Sequence, residues 1–257
     1  MSAYEGKFIW YELMTSDTGA AETFYTRVIG WQAKDAGMPG QHYTLFLAGP
    51  SMVAGLMAVP EQARAMGVGP CWMGYIAVAD VDATAERVRA AGGVVHRAPD
   101  TIPGVGRFAV VADPQGAGFM LFRGEGEPPP PPPAPGTPGH VGWHELLAND
   151  REAAFAFYSS LFGWTKVDAV DLGPAGIYQT FAAGGPAIGG MYQRSGEMPG
   201  PLWRYYFNVP AIDAATARVA ESGGSVLTGP HQVPGGSWIA NCVDPQGAAF
   251  AMVAPQR

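Results

Sequence analysis

Two cysteines in 257 residues leave almost no room for a disulfide framework. Cys71 and Cys242 sit at non-equivalent places in apolar, strand-like runs, so two free, buried thiols are expected. Charge is scarce as well. Charged residues are 14% of the chain, and 15 Lys and Arg face 22 Asp and Glu, giving a formal net charge of −7. Without a basic excess there is no electrostatic footprint for non-specific nucleic-acid binding, and no nucleic-acid partner is expected. No apolar run reaches the roughly 18 residues of a membrane helix. Met1 to Lys7 shows no basic-then-apolar signal pattern. These two absences make a cytoplasmic protein with no membrane partner the expectation. Histidine is sparse: His42, His96, His140, His144 and His231 fall into no His-x-His or Glu-x-x-His grouping. Nor is there a nucleotide-binding glycine signature, because Gly104-x-Gly106 and Gly235-Gly236 precede strands and not a helix.

What is present is a repeat. Apolar residues make up 47% of the chain, enough for two domains with real cores. Asp113-Pro114-Gln115-Gly116 recurs as Asp244-Pro245-Gln246-Gly247, 244 − 113 = 131 residues later. Pro second and Gly fourth suit a tight turn, here feeding a last strand, Phe119 to Phe122 or Phe250 to Val253. Trp10-Tyr11-Glu12-Leu13 matches Trp143-His144-Glu145-Leu146, Phe24-Tyr25 matches Phe157-Tyr158, and Gly30-Trp31 matches Gly163-Trp164. Between the copies, eight of residues 127–139 are proline. Such a run favours extended polyproline II, a semi-rigid spacer of about 3 Å per residue. The expected division is a first domain over 5–124, a linker over 125–139 and a second domain over 140–255.

Within each copy the pattern alternates strand, helix, strands. Phe8 to Leu13 reads as a strand. Asp17 caps a helix with Ala20, Ala21, Phe24 and Val28 on one face, and Gly30 stops it. His42 to Leu47, Met52 to Met57 and Trp72 to Val78 read as strands. Asp82 is expected to cap a second helix stopped by Gly92-Gly93, and Asp150 and Asp213 to serve as caps in the second copy. The fold class is therefore α+β, four βαβββ-like units in tandem.

A strand, a helix carrying Phe-Tyr-x-x-x-x-Gly-Trp and a closing Asp-Pro-Gln-Gly, each seen twice, resemble the vicinal oxygen chelate superfamily. Glyoxalase I, bleomycin-resistance proteins and extradiol dioxygenases belong to it. The resemblance covers nearly all of both halves and implies two eight-stranded cups, each built from two units. It also implies four metal-ligand places per cup. Here these fall on Trp10, near Gly55, on Tyr75 and on Met120, then on Trp143, near Gly190, on Tyr206 and on Ala251. None is a usual ligand of a catalytic divalent metal. No metal site and no cofactor are expected from the resemblance, apart from a displaced metal held by His42 with Glu12.

Alternation puts Glu12 on the face of Trp10, and Glu145 on that of Trp143. A repeated carboxylate on an apolar strand is costly to bury, and burial would raise its pKa toward general acid or base work. Glu12 and Glu145 are therefore the candidate catalytic residues, with a purely structural role as the competing reading. Trp10, Tyr75, Trp143, Tyr206 and Asn208 are the candidate ligand-binding residues. The loops Met57 to Cys71 and Tyr192 to Leu202, with Met66 and Met198, suit adaptable lids. The expectation is a monomer or homodimer binding a small apolar or aromatic molecule. The alternative is an enzyme of lyase or dioxygenase type using Glu12 and Glu145 or a displaced metal.

Overall fold

The structure, a computed structural model, describes residues 4–38, 40, 42–126, 131–194 and 200–257. Residues 127–130 of the expected linker and Met198 of the second expected lid lie outside the described residues. The first βαβββ unit runs β1 (Phe8–Thr15), α1 (Thr18–Val28), β2 (Gln32–Asp35), β3 (Thr44–Ala48) and β4 (Ser51–Ala58). After a short helix α2 (Glu61–Ala65) comes β5 (Cys71–Ala77), α3 (Val81–Ala90), β6 (Val94–Ile102), β7 (Gly106–Ala112) and β8 (Gly118–Gly124). The second half repeats this as β9 (Val141–Ala148), α4 (Arg151–Phe162), β10 (Thr165–Asp171), β11 (Ile177–Ala182) and β12 (Ala187–Gln193). It closes with β13 (Leu202–Asn208), α5 (Ile212–Glu221), β14 (Ser225–Gln232), β15 (Trp238–Val243) and β16 (Ala249–Ala254). The strands form two eight-stranded sheets, ordered β2-β3-β4-β1-β5-β8-β7-β6 and β10-β11-β12-β9-β13-β16-β15-β14. The expected tandem α+β arrangement of four units is what is found.

Local chemistry explains the helix starts. Asp17 accepts from the Ala20 amide at 3.0 Å, and Asp150 from the Ala153 amide at 3.0 Å. Two expected caps are corrected. Asp80, not Asp82, caps α3 by accepting from the Ala83 amide, and Asp82 lies in the first turn bound to Arg107. α5 starts at Ala211 without a side-chain cap, and Asp213 pairs with Arg257. In α1 the buried stripe is Ala21, Phe24, Tyr25 and Val28, so Tyr25 joins it where Ala20 was expected. Gly30, at φ +88°, follows the helix in the left-handed conformation that glycine adopts without strain. Met73 is buried in β5.

Two compact units emerge, and each draws on both halves of the sequence. One contains residues 1–9, 73–131 and 143–203; the other contains residues 10–72, 132–142 and 204–257. Taken by itself, the second unit has α1 against β16. Phe24 and Tyr25 meet the Phe250 ring at 5.8 and 5.4 Å, and Trp72 meets Tyr25 edge-on at 5.2 Å. Each such aromatic pair contributes about 0.5–1.5 kcal/mol beyond area burial. The first unit repeats the pattern with Phe119, Tyr158 and Trp203.

The two repeated motifs meet inside these units. The Tyr25 hydroxyl donates to Asp244 at 3.1 Å, and Tyr158 donates to Asp113 at 3.2 Å. The indole N–H of Trp72 donates to the Tyr25 oxygen, and that of Trp203 to the Tyr158 oxygen, both at 2.9 Å. The other oxygen of each aspartate accepts two backbone N–H groups of its own turn: Gln115 and Ala117, or Gln246 and Ala248. Burial raises both aspartates above the ordinary carboxylate range, while these N–H donors and the phenol pull the other way.

Candidate functional site

β1 lies parallel to β4 with Glu12 in register with Gly55, and β9 lies parallel to β12 with Glu145 in register with Gly190. Registered residues of a parallel pair project from the same face. Glu12 and Glu145 are buried. In the unit containing Trp10, the indole N–H of Trp10 donates to the Tyr43 hydroxyl oxygen at 3.2 Å. The Tyr43 hydroxyl in turn donates to Glu12 at 2.9 Å. In the other unit, Trp143 donates to the Tyr178 oxygen at 2.7 Å and Tyr178 to Glu145 at 3.2 Å. The same Trp–Tyr–Glu chain is thus built twice.

Glycine at 55 and 190 is what admits the tyrosines. A Cβ at Gly55 would land on the Tyr43 hydroxyl, and one at Gly190 would land on the Tyr178 ring. The phenol therefore fills the space into which a side chain at either position would project. Burial, and next the charge of the neighbouring glutamate, hold the protons of Tyr43 and Tyr178 far above the ordinary phenol range. Each phenol stays a donor to its carboxylate. The tryptophans and tyrosines of the two clusters are partly exposed.

The two clusters have different neighbours. Burial and then the charge of Glu12 push the Cys71 thiol up to about 11, so it stays protonated and unreactive. In the other cluster, Tyr192 packs its ring 5.8 Å from that of Tyr178. Cys71 is partly exposed and Cys242 buried, and both are free thiols as expected.

The remaining expected residues go elsewhere. The Tyr206 hydroxyl donates to Asn241 at 3.3 Å, and Asn241 donates on to Thr228 at 2.8 Å. The Asn208 amide lies against Gly142, where an added Cβ would meet it, and its backbone pairs with Gly139 and His140. Tyr75 is buried in register with Met120 and meets Phe122 edge-on at 5.8 Å. His144 is a core residue: it stacks on Phe8 at 4.4 Å, its Nδ1 lies 2.7 Å from the Ile188 carbonyl, and burial pulls its pKa down to about 4. His42 is exposed beside Thr44, whereas Glu12 accepts a hydrogen bond from the Tyr43 hydroxyl.

The residues at the places implied for metal ligands do not fit a divalent metal. Trp10 offers only a donor N–H, Gly55 and Gly190 offer no side chain, and Met120 and Ala251 offer no hard donor. Among the described residues no group of three or more His, Cys, Asp or Glu could hold a metal ion. Also among them, no helix is long and apolar enough to cross a membrane.

Trp10, Glu12, Trp143 and Glu145 were expected from the sequence, whereas Tyr43 and Tyr178, which the structure bonds to them, were not. A signal was available. Tyr43 and Tyr178 repeat at an offset of 178 − 43 = 135, the same as that of Gly55 and Gly190, 190 − 55 = 135.

The comparisons agree with this architecture. CFP32 of Mycobacterium tuberculosis (strain CDC 1551 / Oshkosh), which carries a provisional glyoxylase name, is 33% identical over 250 residues, covering 96% of this chain and 94% of its own. The anthracycline biosynthesis protein DauV of Streptomyces sp. (strain C5) is 35% identical over 263 residues, covering 95% and 91%. Among solved structures, the Mn(II)-bound glyoxalase from Novosphingobium aromaticivorans shares the fold with a TM-score of 0.67 at 17% identity, covering 98% of this chain and 83% of its own. The family profile matches residues 7–121 and again residues 137–252, so the chain belongs to the Glyoxalase/Bleomycin resistance protein/Dioxygenase superfamily.

Proposed function

We propose that this protein binds a small apolar or aromatic molecule at its two Trp–Tyr–Glu clusters. One observation carries the reading. Where the family resemblance implies a metal ligand, both halves have glycine, and a tyrosine hydroxyl bound to a buried glutamate fills the space. The half-buried rings of Trp10, Tyr43, Trp143 and Tyr178 supply apolar, stackable surface, as small-molecule sites do. The relative DauV is named for anthracycline biosynthesis, in keeping with a small-molecule ligand. Tyr75, Tyr206 and Asn208 have their described partners outside the two clusters, so this reading leaves them out of the binding contacts.

The second reading is an enzyme of lyase or dioxygenase type, with Glu12 and Glu145 as proton acceptors. It is favoured by the buried Glu12 carboxyl group, which accepts from the Tyr43 hydroxyl on the strand that carries Trp10.

Elemental analysis of the full chain purified without chelator or added metal tests both readings together with Glu12→Gln. The binding reading expects substoichiometric transition metal, with Glu12→Gln changing ligand affinity. Iron, manganese, nickel or zinc near one per chain would sink it. An enzyme would lose turnover in Glu12→Gln while keeping affinity.

A further inference from the structure

Away from the two clusters, the β6–β7–β8 end of the first sheet frames a cavity of about 440 Å³, lined by Thr101, Arg107, Arg123, Gly124, Glu125 and Gly126. All six residues belong to one compact unit. Arg107 and Arg123 stand in register across the antiparallel pair β7 and β8. Residues so opposed project to the same side, where two like charges repel. Arg107 is answered. Its Nε and Nη2 donate to the two oxygens of Asp82 at 2.5 and 2.6 Å, and its Nη1 donates to the Thr101 hydroxyl oxygen at 3.0 Å. The Arg123 guanidinium has no hydrogen-bond or ion-pair partner among the described residues. Glu125 accepts from the Gly104 amide at 3.1 Å through Oε2, and among the described residues it forms no ion pair with Arg123.

The second copy shows which arginine is surplus. At the repeat offset, 107 + 131 = 238 is Trp and 123 + 131 = 254 is Ala. Asp213, at 82 + 131, pairs there with Arg257 at 3.2 Å, and Arg257 lies over the Trp238 ring at 5.0 Å. One arginine thus answers the first-turn aspartate in each copy, and Arg123 is left over in the first. With Arg107 and Asp82 neutralising each other, the cavity keeps one positive and one negative group. A ligand bearing only a carboxylate meets Arg123 but stands beside Glu125, and one bearing only an ammonium meets the reverse. A carboxylate and an ammonium on one small molecule use both, and the Thr101 hydroxyl keeps a hydrogen to donate.

We propose that this cavity binds a small zwitterion of the α-amino-acid class, its carboxylate on the Arg123 guanidinium and its ammonium on Glu125. The site is independent of what the Trp–Tyr–Glu clusters hold.

The test is a chemical-shift titration of the ¹⁵N-labelled full chain, following the Gly124 and Gly126 amides at low ionic strength, where exposed charges are least screened. The probes are alanine, N-acetylalanine, which has only the carboxylate, and alaninamide, which has only the ammonium. Alanine should bind about fivefold more tightly than either, the fold-change that one exposed ion pair of about 1 kcal/mol supplies. Arg123→Gln should erase the advantage over alaninamide, and Glu125→Gln the advantage over N-acetylalanine. Both side chains are exposed, so both variants should fold. N-acetylalanine or alaninamide binding as tightly as alanine to the wild-type chain would overturn the proposal. So would alanine binding that neither variant changes, or the absence of any shift at Gly124 and Gly126.

Discussion

Each compact unit contains two chains of the same kind, tryptophan to tyrosine to carboxylate. In the unit holding α1 these are Trp72–Tyr25–Asp244 and Trp10–Tyr43–Glu12. Their chemistry is nearly identical, and their settings are not. Tyr25 is fully buried, and Asp244 is held by two backbone N–H groups of its own turn as well as by the phenol. Every polar atom of that chain serves to fasten a helix to a turn. Tyr43 is only partly buried and leans over a glycine instead of over packed side chains. The residue types of the two chains are alike; burial and the backbone N–H groups that hold Asp244 are what set them apart.

The comparison predicts unequal responses to mutation. Asp244→Ala strands two turn amides and the Tyr25 hydroxyl, so unfolding free energy should fall by about 3 kcal/mol in a denaturant titration. A loss under about 1 kcal/mol would mean that this chain is no more structural than the other.

Asp244→Asn sharpens the contrast through pH. The folded aspartate is raised above its unfolded value, so its favourable contribution is complete below about pH 3.9 and is lost as pH rises through the folded value. Wild-type stability relative to the asparagine variant should therefore decline as pH rises above about 3.9. A flat difference would contradict the assigned burial.

Gly55→Ala should cost less, about 1–2 kcal/mol of overpacking, but should force the Tyr43 hydroxyl off its place and weaken ligand binding. Tyr43→Phe should be the mildest, about 1 kcal/mol of stability or less. If Tyr43→Phe instead unfolds the protein, the exposed chain is structural after all.

Much of the fold was legible from the sequence. Four units followed from one duplicated order of strand, helix and strands, because helix caps such as Asp17 and Asp150 and glycines such as Gly30 act locally. The short exposed strand Gln32–Asp35 escaped, since its QAKD sequence carries no apolar alternation. The helix starts at Asp80 and Ala211 were missed because aspartates two residues along, Asp82 and Asp213, also suit a cap by residue type. Half of each candidate site was legible as well, because Trp10 and Glu12 lie two apart on one strand. Tyr43 was not, since its partner Glu12 is 31 residues away and no periodicity joins them. The pairing of Tyr25 with Asp244 was the least accessible. Both motifs were visible, yet nothing in either says that it is completed by the opposite copy.

That exchange has a consequence for the chain. Each compact unit is assembled from one early and one late piece of the sequence, so a single copy on its own lacks the aspartate that accepts its tyrosine's hydrogen bond. Carrying both copies on one chain makes each tyrosine–aspartate pairing intramolecular and so independent of dilution. The two copies differ beside their clusters, by the sulfur of Cys71 at one and the phenol of Tyr192 at the other.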